Sequence, residues 1–188
     1  MVRSKGFAAC SVEDLCRTAE VTKGAFFHQF GSKEELGVAA AEYWTETTSA
    51  LFAAAPYHAH TDPLDRLLAY LDFRAEIIEG DIAEFTCLVG TMAQEVYGSS
   101  PAIRDACAAS IFGHADTLAP DIQAVIDARG IEADWTAQSL ARHMQAVLQG
   151  AFVLAKADND SALAKESIAH LRRYFAFLFN PELKRHSQ

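Results

Sequence analysis

Four consecutive residues near the start of the chain, Thr22 to Ala25, combine a hydroxyl, an ammonium and two very small side chains. A hydroxyl, a cation and the free amides of a helix N-terminus can each bind a phosphate or a base edge of DNA. Gly24 and Ala25 are small enough to let a helix backbone lie deep in the major groove. These residue types at this spacing predict a contact with double-stranded DNA.

The surrounding segment, residues 11–36, must hold those groups in position. Apolar side chains at helical spacing create a single buried face at its start, formed by Val12, Leu15, Cys16 and Ala19. Three hydroxyl residues are placed to cap helix N-termini: Ser11 with Asp14 three residues later, Thr22 before Lys23–Phe27, and Ser32 with Glu35 in a capping box. Two short helices around a tight turn, followed by a third helix, predict a helix-turn-helix.

The run from Lys5 to Leu36 resembles the DNA-binding domain of the TetR family without a gap, through Lys5-Gly6-Phe7 and then SVEDLCRTAEVTKGAFFHQFGSKEEL. The resemblance implies that Thr22, Lys23, Gly24 and Ala25 face the groove or a flanking phosphate, and that His28 and Lys33 contact the DNA backbone. Two residues depart from the family pattern. Phe27 stands where relatives usually have Tyr, which predicts the loss of one phosphate hydrogen bond, and Gln29 stands where many have His.

A larger departure from the pattern lies upstream of Lys5. Relatives carry a longer helix there, whereas only Met1–Ser4 precede Lys5 in this sequence. That helix packs across the helix-turn-helix, so we expect the first helix to be truncated and the apolar side chains to be partly uncovered at Val12, Leu15, Val21 and Phe26. This comparison predicts that the native product is longer at its N-terminus.

The charge of the chain is unevenly distributed. The net charge is −9, which by itself argues against nucleic-acid binding. Residues 1–36 hold equal numbers of basic and acidic side chains, so the acidity belongs wholly to residues 37–188. A DNA-binding region without net charge predicts modest affinity for non-specific DNA. Useful binding then needs two half-sites of an operator.

The remaining chain has helical periodicity throughout and no strand pattern, so the predicted fold is all-α. We predict a helix-turn-helix domain over residues 1–36 and a helical ligand-binding and dimerisation domain over residues 37–188. The predicted helices of the second domain cover about 32–54, 63–79, 84–97, 101–129, 133–157 and 162–179, with a kink or restart near Pro120.

The last two helices carry apolar stripes that are typical of either an ordinary core or a subunit interface. The TetR resemblance implies the second, because in that family these helices pair with their mates in a four-helix bundle. A two-fold dimer also places two recognition helices one DNA turn apart. The predicted interface residues are Met144, Val147, Ala151, Leu171, Phe175 and Leu178.

The middle helices are where the family resemblance implies a ligand cavity. The candidate lining residues are Phe52, Tyr70, Phe73, Ile77, Cys87, Val89, Met92, Ile111, Phe112 and Phe152, and for each of them plain core is the alternative. Cys87 is either a small buried hydrophobe or a sensor of electrophiles.

Other chemistry receives little support. The sequence holds no GxSxG, HExxH, P-loop or GxGxxG motif, so we predict no catalytic residue and no cofactor. His58 and His60 lack matched ligands, and a solvated loop is favoured over a metal site. Four separated cysteines, no signal peptide and no membrane span predict a reduced, cytoplasmic protein.

The leading hypothesis is a one-component transcriptional repressor that binds a palindromic operator as a homodimer and is released by a small apolar or electrophilic effector. The alternative is a helical small-molecule binding protein that has lost DNA binding. An enzyme ranks third, since no nucleophile–base pair or metal set is present in the sequence.

Overall fold

A computed structural model describes residues 1–180 of the chain. Within that range every regular element is helical, which confirms the all-α prediction. The elements are α1 (Val2–Lys5), α2 (Val12–Thr18), α3 (Lys23–Gln29), α4 (Lys33–Ala53), a 3-10 turn (Pro56–Ala59), α5 (Pro63–Glu76), α6 (Ile82–Phe85), α7 (Leu88–Val96), α8 (Pro101–Arg129), α9 (Ala137–Asp158) and α10 (Ala162–Leu178).

Local caps determine where the helices of the N-terminal region begin. The Ser11 hydroxyl accepts the Asp14 N–H at 3.0 Å, and the Asp14 carboxylate accepts the Ser11 N–H at 3.1 Å. The Thr22 hydroxyl accepts the Ala25 N–H at 3.1 Å and starts α3. Glu20 adopts a left-handed conformation with φ 55°, which reverses the chain between α2 and α3. The predicted helix-turn-helix is therefore formed by local interactions.

The start of α4 differs in one detail from the predicted capping box. Ser32 caps the helix as expected, since its hydroxyl accepts the Glu35 N–H at 3.0 Å. The Glu35 carboxylate, however, accepts the N–H of Gly31 at 2.7 Å. Only half of the predicted box forms, and the second half is shifted back by one residue.

Several predicted helix boundaries are corrected by the structure. The helix expected over 84–97 is divided into α6 and α7, because Thr86 and Cys87 are extended between them. α9 begins at Ala137 because Thr136 caps it, its hydroxyl accepting the Ser139 N–H at 3.1 Å. Of the kink or restart predicted near Pro120, the restart is absent, since α8 continues through that residue. The last helix, expected over about 162–179, ends at Leu178.

The main hydrophobic core joins α5, α8, α9 and α10. A second, smaller core packs Phe7 against residues of α4, α7 and α8, so the N-terminal segment is attached to the helical bundle. α4 runs across the predicted boundary at residue 36 and extends from the helix-turn-helix into the bundle. The division into two domains at that residue stays a prediction.

Candidate DNA-reading surface and ligand cavity

The outer face of α3 presents the residues that the sequence pattern assigned to DNA. Phe26 is buried beneath the helix and contacts the Phe30 ring, with the ring centroids 5.7 Å apart. This anchor leaves the opposite face in solvent, where a Cβ added to Gly24 would meet only the Thr22 hydroxyl, at 3.7 Å. The exposed residues are Thr22, Lys23, Gly24, Ala25, Phe27 and His28.

Two of the predicted DNA contacts are engaged within the chain. The Lys23 ammonium pairs with the Glu13 carboxylate at 3.1 Å, and both side chains are exposed. The Lys33 ammonium donates to the Ala8 carbonyl at 3.3 Å and lies 4.6 Å from the centroid of the Phe7 ring. Lys33 is therefore partly buried and directed at the N-terminal segment rather than extended freely from the surface.

An almost wholly apolar groove of about 450 Å³ lies on the helix-turn-helix. Its walls include Leu15, Cys16, Phe30 and Leu36. Of the residues that we expected to be uncovered, Val21 is 45% exposed, Leu15 and Val12 are half-buried, and Phe26 is buried. The prediction therefore needs correction at Phe26, which packs against the rings of Phe27 and Phe30.

A cavity of about 180 Å³ lies between the middle helices. It is bounded by α4, α5, α6, α7, α8 and α9. The sequence-derived candidates that line it are Phe52, Ile77, Cys87, Val89, Ile111 and Phe152, and the lining also includes Trp44 and Phe85. These aromatic and aliphatic walls suit an apolar molecule of modest size.

Four predicted lining residues lie elsewhere. Phe112 is 49% exposed on the outer side of α8, where the Arg142 guanidinium covers its ring at 5.4 Å. Met92 is fully buried in the smaller core. Tyr70 and Phe73 do not line the cavity, but the ring of each lies 5.8 Å from the ring of Phe52, which does. Helical spacing alone did not distinguish the cavity side of a helix from its core side.

Sequence reasoning missed the polar groups of the cavity. Arg74, His114 and Gln145 all line it. The Tyr70 phenol lies 2.9 Å from Nε2 of His114. Burial and the nearby Arg74 charge lower the pKa of His114 to about 4, so its ring is neutral at pH 7. A usable signal was present in the sequence, since Gln145 interrupts the apolar stripe of the helix that contains Met144 and Leu148.

Cys87 lies in the cavity wall at the N-cap of α7. It is a half-buried free thiol whose sulfur accepts the Gly90 N–H at 3.4 Å. Cys107 is buried nearby, and burial raises the pKa of its thiol to about 11. A cavity molecule can therefore reach Cys87, and whether it reacts with that thiol stays a prediction.

Most of the predicted interface residues face the core of their own chain. Met144, Ala151, Leu171 and Phe175 are buried, and Val147 and Leu178 are half-buried. Intrachain packing therefore accounts for most of the stripe on which the prediction rested. A different stripe of α9 and α10 is exposed and apolar, comprising Ala146, Gly150, Val153, Leu154, Tyr174 and Phe177.

Residues 1–180 contain no group of three His, Cys, Asp or Glu side chains that could hold a metal ion. In the same range no helix combines the length and apolar character needed to span a membrane.

Two family models match the chain in the order that this architecture requires. The model for bacterial regulatory proteins of the tetR family matches residues 2–40. The model for the tetracyclin repressor-like C-terminal domain matches residues 63–171, more than half of the sequence. The chain belongs to the TetR family. The first match covers the helix-turn-helix, and the second covers much of the helical bundle, so both regions of this TetR-family protein are accounted for.

Individual relatives agree with this assignment. The transcriptional regulator AcuR of Cereibacter sphaeroides is 29% identical over 92 residues, which cover 49% of this chain and 42% of AcuR. The HTH-type transcriptional repressor DhaR of Mycobacterium sp. strain GP1 is 27% identical over 100 residues, which cover 53% and 48% of the two proteins. The matched segments thus span less than half the length of these curated relatives.

The fold comparison extends over nearly the whole TetR-family chain. The crystal structure of reduced Escherichia coli NemR superimposes with a TM-score of 0.77 and covers 92% of this chain and 89% of NemR. Its sequence identity of 24% means that this likeness describes the fold.

Proposed function

We propose that this TetR-family protein is a one-component transcriptional repressor, which binds a palindromic operator as a homodimer and is released by a small molecule in the cavity. The observation that carries the proposal is the continuity of α4. This helix begins at the reading domain with Lys33, and its later turns supply Trp44 and Phe52 to the cavity wall. A cavity molecule that displaces those side chains moves α4 and, with it, the recognition helix α3 that directly precedes α4.

Arg3 provides a second connection between the cavity and the reading domain. Its guanidinium donates to the Glu84 carbonyl at 2.7 Å and to the Thr86 carbonyl at 3.2 Å. It also lies 5.1 Å from the Trp44 ring centroid. Because Glu84 and Trp44 both line the cavity, a change in the wall is transmitted to α1.

The dimer is proposed to form through the exposed apolar stripe of α9 and α10. Beside the stripe, the rings of His143 on α9 and Tyr174 on α10 contact each other, with their centroids 5.8 Å apart. Exposed aromatic and aliphatic side chains of this extent favour burial against a partner. Small residues at Ala146 and Gly150 permit close approach of a second copy.

Release follows from linkage between the two binding events. If the ligand binds more tightly to the conformation in which the recognition helices are not spaced for the operator, ligand binding lowers the affinity for DNA and DNA binding lowers the affinity for the ligand. Coupling in such systems is typically about 1–3 kcal/mol, or roughly 5- to 150-fold in affinity. We place this activity in the cytoplasm, where DNA is accessible and the four free cysteines remain reduced.

An electrophile that modifies Cys87 is the alternative effector, because the sulfur is accessible from the cavity. A small-molecule binding protein without DNA binding is the alternative function. It is favoured by Phe27, which lacks the phenolic hydroxyl, and by the engaged ammonium of Lys33.

A fluorescence-anisotropy titration separates the two functions. The protein is titrated onto labelled DNA that flanks its own gene, at two salt concentrations and with random DNA as competitor. A repressor binds one fragment specifically, and that binding survives competition. Affinity no higher than for random DNA at every flanking fragment favours the binding-protein alternative.

A further inference from the structure

Arg74 is a cation of the cavity wall without a carboxylate partner among the described residues. Among residues 1–180, no carboxylate lies within ion-pair distance of its guanidinium, whereas Arg66 pairs with Asp121 at 2.9 Å and Arg172 pairs with Asp72 at 2.7 Å. The Arg74 guanidinium is instead half-buried over the faces of Phe52 at 5.1 Å and Phe152 at 5.8 Å. Removing a cation from water without an anionic partner costs free energy. This position therefore favours the binding of an anionic ligand.

Gln145 supplies a second unused donor at the same cavity. Its side chain is 6% exposed, and Nε2 has no hydrogen-bond partner among the residues that the structure describes. A buried amide N–H without an acceptor is rare in native proteins and requires a partner. Both groups also face the Tyr70 phenol oxygen. Burial raises the pKa of that phenol, while the Arg74 charge and hydrogen bonding from Gln145 and Arg74 lower it, although neither approach has the geometry of a full hydrogen bond. Arg74 and Gln145 thus converge on one region.

The other polar groups of the wall leave the cavity without a competing anion at this position. The carboxylate of Glu84 accepts the Asp81 N–H at 2.8 Å, on the loop side of α6. The hydroxyls of Thr45 and Thr48 donate to the backbone of α4 at 2.8 and 2.7 Å. His114 is neutral, and its Nε2 shares a hydrogen bond of 2.9 Å with the Tyr70 phenol. Glu84 is the acidic residue of the lining and does not pair with Arg74, so no carboxylate of the wall neutralises the guanidinium.

The size of the cavity limits the apolar body of the ligand. A cavity of 150 Å³ lined by apolar side chains can hold one benzene molecule. The present cavity of about 180 Å³ can therefore hold one six-membered ring or a short branched chain with a small polar group. Phe52, Phe85 and Phe152 supply the aromatic contacts for such a body.

We propose that the cavity binds a small organic carboxylate, whose anion pairs with the Arg74 guanidinium and the Gln145 amide while its apolar body packs against Phe52, Phe85 and Phe152. This inference rests on the proposed function, because it names the chemical class of the effector. A carboxylate satisfies a guanidinium and an amide N–H together, and a neutral molecule of equal size leaves the cation unpaired.

The test is isothermal titration calorimetry of the full chain, free of DNA, with benzoate and with the neutral, size-matched benzyl alcohol. Trp44 lines the cavity, so its fluorescence provides a second readout once Trp135 is replaced by Phe. We expect benzoate to bind at least 10-fold more tightly than benzyl alcohol. Equal binding of the two compounds, or no binding of benzoate, overturns the proposal.

Variants locate the anion. Arg74→Gln is expected to lose the preference for benzoate while remaining folded, since it removes an unpaired charge from a half-buried site. Gln145→Glu places a carboxylate beside Arg74 and is expected to abolish benzoate binding. Arg104→Gln removes an exposed arginine of α8 that pairs with Asp105, and is expected to bind as the wild type does. Undiminished benzoate binding by a folded Arg74→Gln protein contradicts the proposal.

An operator titration with and without benzoate keeps this inference separate from the proposed function. Calorimetric binding together with weaker operator affinity supports both. Calorimetric binding without any change in operator affinity supports the carboxylate site and contradicts the release mechanism. Operator affinity that falls without calorimetric binding of benzoate contradicts the carboxylate site.

Discussion

Single side chains of α3 determine how strongly the reading surface can hold a phosphate. The exposed pair between Lys23 and Glu13 is easily exchanged, because surface ion pairs are worth about 0–1 kcal/mol. A DNA phosphate can therefore replace Glu13 as the partner of the ammonium. Phe27, in contrast, offers an exposed ring without a hydrogen-bonding group.

Lys23→Ala is expected to weaken operator binding while leaving the oligomeric state unchanged. The loss of one phosphate contact should lower affinity for all DNA sequences and reduce the dependence of log affinity on log salt by about one. Anisotropy titrations at several salt concentrations measure both effects. Arg104→Ala, a charge-matched change on the exposed side of α8, is the control. Equal affinities for Lys23→Ala and wild type would show that α3 is not the recognition helix.

The neutral state of His114 makes stability depend on pH. Its pKa is about 4 in the folded protein and 6.5 in an unfolded chain, so below pH 6.5 the unfolded state takes up a proton that the folded state does not. The free energy of unfolding should therefore decrease as the pH drops from 6.5 to 4. Below pH 4 the titration of His114 should cause no further decrease. The shift corresponds to at most about 3 kcal/mol.

Urea unfolding of wild type and His114→Asn between pH 7 and 4 isolates this effect, because all other titrating groups are common to both proteins. The variant keeps a polar group near Tyr70 and lacks the titration. The difference in free energy of unfolding between the two proteins is expected to shrink as the pH falls. Parallel curves would refute the assignment.

Helix N-termini were predictable from the sequence because caps are local. Ser11, Thr22 and Ser32 each need only a hydroxyl and an amide three residues away. The break between α6 and α7 was not predictable, because Thr86 is buried and its backbone carbonyl accepts from Arg3, which is 83 residues distant. Long-range contacts of this kind override periodicity.

Arg3→Ala is expected to uncouple the cavity from the reading domain. The variant loses the contacts between α1, the 84–86 backbone and the Trp44 ring, so operator affinity in the absence of ligand should stay close to that of the wild type while its response to benzoate shrinks towards one-fold. Lys5→Ala is the matched control, since that ammonium pairs with Asp14 within the N-terminal segment. A full response to benzoate in Arg3→Ala would exclude this route of coupling.

At the scale of the whole molecule, the exposed stripe of α9 and α10 should determine the oligomeric state. Replacing Tyr174 and Phe177 together by Glu places charges on this face and is expected to convert a dimer into a monomer of 20.5 kDa. Light scattering coupled to gel filtration measures the mass. Tyr43→Glu, at a more exposed position on α4, should leave the dimer intact. A dimeric Tyr174/Phe177 double variant would place the interface elsewhere.

The sequence was more informative about the reading domain than about the cavity. The residues of α3 form one short segment, so one pattern described them together. The cavity residues Arg74 and Gln145 lie 71 positions apart in the sequence and meet only because α5 and α9 border the same space. Which face of each helix is buried depends on all its neighbours, and this is why Phe112 was misplaced.

Selection of binding sites from a random DNA pool tests the central claim most directly, because the operator sequence does not have to be known. The full chain is used at near-physiological salt, and the enriched sequences are compared with those from Lys23→Ala. We predict enrichment of a two-fold symmetric sequence whose half-sites lie about one helical turn apart, with much weaker enrichment by the variant. A pool that remains unenriched after repeated rounds would contradict the claim that this protein reads DNA.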